Sequence, residues 1–155
     1  MEYFVPNREV IKNFAINTGT TANPVYTNLC TASELALNSD FTTQEFFVFC
    51  DAIQRSVKTG VALTIDGTIK IDANNKAIEK VIGDVHTLLT SGTISQFNNV
   101  QAKFDLLTNV SGGVLTYTTY YVSTNFSLDK LGGSAEDVGE FAISLTINGT
   151  GSISA

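Results

Sequence analysis

The clearest pattern in the sequence is a strict alternation of apolar and polar residues near the C-terminus. Across residues 141–148 the apolar side chains occupy odd positions, which is the period of a strand with one buried face. Across residues 120–129 they occupy even positions instead, and residues 131–137 between the two runs are rich in glycine and carboxylates. Residues 114–151 are therefore predicted to form two long strands joined by one turn.

Odd positions are also apolar in an earlier stretch, on both sides of an Asp-Gly pair: Val61, Leu63, Ile65, Ile69 and Ile71. A two-residue hairpin turn at Asp66 and Gly67 would place apolar residues opposite polar ones on each face. A single strand keeps all five on one face, with a bulge or a close contact at Gly67. The pattern therefore favours one long strand.

Residues 74–91 show a convincing helical period. Six apolar residues recur every three or four positions and form one stripe: Ile78, Val81, Ile82, Val85, Leu88 and Leu89. Asp72, Asn74 or Asn75 can cap the first turn, and Gly92 suits the position after the last residue. We expect an amphipathic helix that buries this stripe against the sheet.

The rest of the chain predicts further strands and one irregular segment. A short arm over residues 1–10 precedes a first strand at residues 11–17 and a second extended stretch made of residues 25–31 and 33–38, and residues 100–108 form a further strand. Residues 39–59 keep no single period, although they contain several aromatic side chains: Phe41, Phe46, Phe47 and Phe49. The sequence thus indicates one mainly β domain, residues 1–155, with one packed helix.

Charge narrows the classes of function. Nine Lys and Arg against 15 Asp and Glu give a net charge of −6. This balance argues against ordinary nucleic-acid binding, which needs basic residues to displace counterions from phosphates. The N-terminus lacks the layout of a signal peptide, so we expect the protein to stay in the cytoplasm of its producer.

No residue pattern predicts an active site. His86 is the one histidine, and no motif supplies it with an orienting acid and a nucleophile. Residues 148–152 have the glycines of a phosphate loop but neither a lysine nor a following helix. For Cys30 and Cys50 we expect buried reduced thiols, with a disulfide as the alternative. We therefore predict no catalytic, cofactor or metal site and no enzyme activity.

The strand edges are poorly protected. Natural sheets blunt exposed edges with proline, lysine or bulges, but both prolines lie before residue 25 and the later strands hold few charges. This indicates that other copies of the chain cover the edges, through a contact between different surfaces that closes into a ring or continues as a filament. The alternative is a monomeric sandwich whose edges are covered by residues 39–59.

Three segments resemble the tail tube (major tail) proteins of long-tailed, non-contractile bacteriophages. They are the opening strand Phe14-Ala15-Ile16-Asn17, the segment Asp66-Gly67-Thr68-Ile69-Lys70-Ile71 before the helix, and the closing segment Leu131-Gly132-Gly133-Ser134-Ala135-Glu136-Asp137-Val138-Gly139-Glu140-Phe141 with a terminal Thr-Gly-Ser. The resemblance covers essentially the whole chain and rests on the order of the elements.

This resemblance implies a β-sandwich or open barrel with a flanking helix. It also implies a structural virion protein that forms hexameric rings, which stack into a tube through which DNA passes without specific binding. The tube would belong to the phage tail, assembled in the bacterial cytoplasm with initiator, terminator and tape-measure proteins. Residues 39–59 match the loop that joins one ring to the next, with Phe41, Phe46, Phe47 and Phe49 as contacts.

The strand parity also predicts which residues line such a tube. If Val61, Leu63 and Ile65 face the core together with Phe141, Ile143 and Leu145, their alternates face the lumen: Thr64, Thr68, Ser144 and Thr146. Negative charge would then come from strand ends and loops, such as Asp66, Asp105 and Glu136.

Two other functions remain open from the sequence. One is a carbohydrate- or receptor-binding β-sandwich, in which Tyr117, Tyr120 and Tyr121 would stack on a ligand. The other is the inner-tube protein of a contractile tail or a secretion machine.

Overall fold

The computed structural model describes residues 4–153, which form a seven-stranded antiparallel sheet and an α-helix. In chain order the elements are β1 Ile11–Asn17, β2 Tyr26–Asn28, β3 Ala32–Phe46, β4 Arg55–Lys70, α1 Lys76–Ser91, β5 Val100–Ser111, β6 Val114–Leu131 and β7 Glu140–Ile153. The strands lie in the order β2-β1-β5-β6-β7-β4-β3, so β2 and β3 are the edges and the sheet does not close. This confirms the mainly β prediction with one helix, and it confirms the two long C-terminal strands. Residues 1–3 of the predicted N-terminal arm lie outside the described residues.

The core lies on one face of the sheet, where the predicted parity holds. Five side chains from β4 and β7 are essentially inaccessible to solvent: Ile65, Ile69, Phe141, Ile143 and Leu145. Complete burial of such a side chain is worth about 1.5–3 kcal/mol. Buried residues of β1, β5, β6 and α1 complete the cluster together with Leu29, and the hydroxyl of the buried Thr124 donates a hydrogen bond to the Val100 carbonyl at 2.7 Å.

The single-strand prediction around Gly67 is confirmed. β4 passes through the Asp-Gly pair without turning, and Gly67 pairs with Leu35 of β3 and Ile143 of β7. A Cβ atom at Gly67 would lie 2.9 Å from Leu35 Cδ2 and 3.2 Å from the Glu34 carbonyl oxygen. The glycine is needed because β3 approaches β4 closely at this point.

The prediction of an irregular loop at residues 39–59 is wrong in conformation. β3 and β4 pair along their length to Phe46 and Arg55, but β4 pairs with β7 only as far as Thr64. Residues 39–63 therefore form a two-stranded ribbon, here called the first ribbon, with its turn at residues 47–54. No core lies beneath it, so no one-sided apolar pattern is required. For the same reason Val61, predicted to face the core, is exposed.

Residues 107–119 form a second ribbon. β1 pairs with β5 only as far as Leu106, and β7 pairs with β6 only from Tyr120 onward. The connecting turn is Gly112-Gly113, with φ angles of 58° and 82°, which glycine adopts without strain. The registers of β4, β6 and β7 direct both ribbons out of the same end of the sheet, here called the distal end. The opposite, proximal end is where β4 ends and β5 begins.

The helix has the predicted extent, but only part of its stripe is buried. The side chain of Asn75 accepts hydrogen bonds from the amides of Ala77 and Ile78, and Gly92 follows the last turn with a φ of 68°. Three residues near the start of α1 are buried: Ala77, Ile78 and Val81. The apolar residues Ile82, Leu88 and Leu89 remain exposed, so the buried residues of α1 all lie in its first half.

Two further observations concern single features. Cys30 and Cys50 are free thiols on the surface, so their predicted burial is wrong. Cys50 lies in the turn of the first ribbon, which has no core behind it.

Within residues 4–153, no helix has both the length and the apolar character needed to span a membrane.

Candidate functional site

The four residues predicted to line a lumen lie on one continuous face of the sheet, opposite the core. Thr64 and Thr146 are direct cross-strand partners, Ser144 lies in the adjacent row, and Thr68 lies opposite Ala142. Each alternates along its strand with a buried residue. The rows continue onto β3 and β6 through Asn38, Ala36, Asn125 and Ser127. We call this surface the polar face.

A hydrogen-bonded row crosses the polar face over four strands. The hydroxyl oxygen of Ser144 lies 2.8 Å from Asp66 Oδ1 and 2.5 Å from Asp129 Oδ2. The side-chain amide of Asn38 donates to the other carboxylate oxygen of Asp66. Because a serine hydroxyl has one proton, it donates to one carboxylate at a time and sits between two negative charges. The centre of the polar face is therefore acidic.

The expected position of the carboxylates was partly wrong. Asp66 was placed at a strand end, but β4 is continuous, so this residue lies within the polar face. Asp105 lies within β5 and interacts with Asn13 and Thr119. Burial raises the pKa of Asp105, but these hydrogen bonds together with the positive charges of Lys103 and Lys12 outweigh burial, and the net shift of the pKa is downward. Asp129 was missed, because its proximity to Ser144 depends on the register between β6 and β7.

An ion pair marks the proximal border of the polar face. The ammonium group of Lys70 lies 2.6 Å from a carboxylate oxygen of Glu140, and the two residues are cross-strand partners. The hydrogen bond from Lys70 lowers the pKa of Glu140, and the positive charges of Lys70 and Lys130 add to this effect. Glu136 lies beyond this border, in the exposed turn between β6 and β7.

The half of the sheet formed by β1, β2 and β5 has a different character. Lys12 lies 4.5 Å from the centre of the Tyr117 ring, and the Tyr117 hydroxyl donates to the Glu9 carbonyl oxygen at 2.7 Å. Tyr26 and Tyr121 meet edge to face with ring centres 5.5 Å apart. Lys12 and several aromatic side chains thus gather on this side of the sheet, whereas Lys70 and Lys130 lie at the proximal border of the polar face.

The tyrosines proposed for sugar stacking do not form one platform. Tyr120 packs against Phe104 on the core side, with ring centres 5.8 Å apart. Tyr117 and Tyr121 have the opposite parity on β6 and lie on the outer side, four residues apart. The three tyrosines therefore offer no shared stacking surface, which does not favour the carbohydrate-binding alternative.

The first ribbon exposes several large apolar side chains along its length. All four predicted contact phenylalanines are exposed, Phe47 by 65% and Phe49 completely. Three further exposed residues of the ribbon are Ile53, Val57 and Val61. Lys58 covers one face of Phe41, with its ammonium nitrogen 4.2 Å from the ring centre. Such a concentration of exposed apolar groups is typical of an interaction surface.

Comparison with solved structures shows which known fold this is. The SPP1 tail tube, determined by solid-state NMR and cryo-EM, superposes with a TM-score of 0.59 at 14% identity, covering 94% of this chain and 79% of that one. This is the tail tube fold. The tail of an empty gene transfer agent (GTA) particle, refined with C6 helical symmetry, matches with a TM-score of 0.51 at 10% identity, over 92% of this chain and 96% of that one.

The tail tube fold also occurs in a contractile assembly. The sheath–tube complex of an extracellular contractile injection system, PVC, in its extended state contains a chain that matches with a TM-score of 0.52 at 16% identity. That match covers 99% of this chain and 93% of the other. No protein-family model and no curated protein matches the sequence itself. The likeness therefore lies in the fold, including the order of its elements.

Proposed function

We propose that this chain is the structural subunit of a phage tail tube, in which sixfold rings stack into a conduit for DNA. The observation that carries the proposal is the first ribbon, which extends beyond the sheet and exposes seven large apolar side chains in a single protomer. A stable surface of this kind requires a partner. The shared fold with the SPP1 tail tube and the GTA tail supports copies of the same chain as that partner.

Ring formation would use the open edges of the sheet. β3 pairs with β4 on one side only, which leaves the other edge of a 15-residue strand unpaired. The opposite edge is formed by the short β2 and by the part of β1 beyond it. Because the two edges differ, pairing between copies is heterologous and closes into a ring when the rotation allows it. The C6 symmetry of the GTA tail supports six copies per ring.

Stacking would use the first ribbon as the contact between rings, with Phe41, Phe46, Phe47 and Phe49 in the interface. Its length supports this role: residues 39–63 project from the sheet as a hairpin, and strands rise about 3.3 Å per residue. Such a hairpin extends beyond the distal end of its own sheet and would be available to the next ring. The predicted inter-ring loop is thereby refined to an extended two-stranded arm.

The polar face, with Thr64, Thr68, Ser144 and Thr146, would line the lumen. Its hydroxyl and amide groups are uncharged, and Asp66 and Asp129 at its centre repel phosphate. The basic residue Lys12 belongs to the other half of the sheet. Six copies at −6 each give a ring a net charge of −36, so DNA passes a wall that does not bind it.

The proposal places the protein in the tail of a virion, assembled in the bacterial cytoplasm, with a structural and non-enzymatic role. Its partners would be further copies of itself and the proteins that initiate, terminate and measure the tail. The inner tube of a contractile system is the second candidate, because the PVC sheath–tube complex matches about as well as the GTA tail. A sheath partner would distinguish the two.

Electron microscopy of the purified protein tests the proposal. We expect rings or tubes with sixfold symmetry, either from the protein alone or after addition of tail-initiation proteins. A monomer that stays dispersed at millimolar concentration with those proteins present would contradict the proposal.

A further inference from the structure

We propose that the tip of the first ribbon, residues 46–57, binds the exposed C-terminal half of α1 in another copy of this chain. The occupant of the helix surface would thus be a defined segment of a second copy. This inference rests on the proposed function and deepens it, because it names the surface that receives the ribbon.

The helix surface is an apolar patch that its own protomer leaves uncovered. Leu89 is 81% exposed, and the neighbouring Ile82, Leu88 and Ile94 are also exposed. Leu88 and Leu89 belong to the same apolar stripe as the buried Ile78 and Val81. An amphipathic helix normally buries such a stripe along its whole length. Here the second half of the stripe is left uncovered by its own protomer.

The patch and the ribbon tip lie at opposite ends of the molecule. Asn75, the cap of α1, donates from its side chain to the Asn28 carbonyl oxygen, and the registers of β2, β1 and β5 place Asn28 at the level of Tyr121 in β6. Farther along, the side chain of Gln96 donates to the carbonyl of Asp84 in the middle of α1, and its neighbour Phe97 stacks on Phe126.

Phe126 lies five residues beyond Tyr121 toward the proximal end. The helix therefore runs away from the ribbon tips, and its C-terminal half lies proximally. A tip cannot reach the patch of its own protomer, but it can reach that of a copy placed distally in the same orientation.

The two surfaces also match in charge. Residues 85–99 contain no Asp, Glu, Lys or Arg. Within residues 46–57 the charged groups are Asp51 and Arg55, which pair with each other at 2.7 Å. Contact between these surfaces would bury apolar groups without removing an unpaired charge from water, which is the costly part of forming an interface.

Each protomer has one tip and one patch, so the contact is heterologous and leaves both ends free to continue. A chain of such contacts forms a filament, as stacking of rings requires. In every inter-ring contact, the ribbon tip of one copy would therefore bind the patch at the proximal end of the next copy.

Cys50, exposed in the ribbon turn, provides a direct test. In protein with Cys30→Ser, which keeps Cys50, we introduce Leu89→Cys and oxidise assembled tubes mildly. Disulfides form when Cα atoms come within about 4.4–6.8 Å. We expect a ladder of dimers, trimers and longer chains on non-reducing gels. The controls are Cys30→Ser alone and Cys30→Ser with Glu79→Cys, an exposed position about 15 Å away on the same helix. Neither should form a ladder.

The outcomes separate this inference from the proposed function. If the Cys30→Ser protein forms no tubes, the proposed function and the inference both fail. Tubes without a ladder from Leu89→Cys, or with dimers alone, contradict the inference and leave the tube intact. Leu89→Asp gives a second measurement: we expect a folded monomer and at least a tenfold higher critical concentration for assembly, whereas Leu89→Met should assemble normally. Normal assembly of Leu89→Asp would also overturn the inference.

Discussion

The double substitution Phe47→Ser with Phe49→Ser should prevent assembly without unfolding the protomer. Phe47 is 65% exposed and Phe49 is fully exposed, so neither contributes much to the core. Substitutions at such surface positions change the free energy of unfolding by about 0.5 kcal/mol or less. The midpoint of thermal unfolding of the unassembled protein should therefore stay within a few degrees of the parent.

The effect on assembly should be large, because the contact between copies would bury the side chains of both phenylalanines. Complete burial of a phenylalanine is worth about 1.5–3 kcal/mol, and scaling by the two exposed fractions gives about 2.5–5 kcal/mol per contact. Since each 1.4 kcal/mol is a factor of ten in an equilibrium constant, the critical concentration for tube formation should rise roughly 60- to 4,000-fold.

Pelleting at a series of protein concentrations measures this quantity. The matched control is Val138→Ser, in the exposed turn between β6 and β7 and outside the ribbon; Val138 is 65% exposed, as Phe47 is, and its substitution should leave the critical concentration unchanged. An unchanged critical concentration for the double variant would refute the role of the tip. A fall of many degrees in the unfolding midpoint of the double variant would show that the side chains of Phe47 and Phe49 pack within the protomer.

Three further predictions follow from the sheet itself. Thr146→Lys should still allow tubes to form but should slow DNA release from virions in a salt-dependent way. Ser144→Lys should slow release less, because the carboxylates of Asp66 and Asp129 flank that position. Equal release rates for the parent and Thr146→Lys would show that the polar face does not line the channel. Gly67→Ala should cost about 1–3 kcal/mol in denaturant unfolding through overpacking, while Gly60→Ala, where a Cβ meets nothing within 4 Å, should be nearly neutral. The hydrogen bond from Lys70 lowers the pKa of Glu140, so the ionised carboxylate stabilises the fold at pH values above its ordinary pKa, and this stabilisation is lost as the pH falls through the lowered pKa. Glu140→Gln should therefore flatten the acid limb of a plot of melting temperature against pH. An unaltered limb would contradict this assignment.

Much of the fold could be predicted from local periodicity. The apolar alternation from Ile65 onward in β4 and from Phe141 to Leu145 in β7, and the caps of α1, are properties of short segments. The structure confirms them because these parts of the chain fold over one buried face. The parity also identified the polar face, since the alternates of buried residues must lie on the other side of the sheet. The candidate lumen residues therefore followed from the sequence.

The tertiary structure decided where burial stops. The first ribbon and the second half of α1 carry apolar residues that the sequence alone could not assign to core or surface, because exposure depends on where β7 ends and on how α1 crosses the sheet. The row through Asp66, Ser144 and Asp129 likewise required the registers of three strands that are distant in sequence. Periodicity reports which side of an element is apolar, whereas contact between distant segments determines whether anything covers that side.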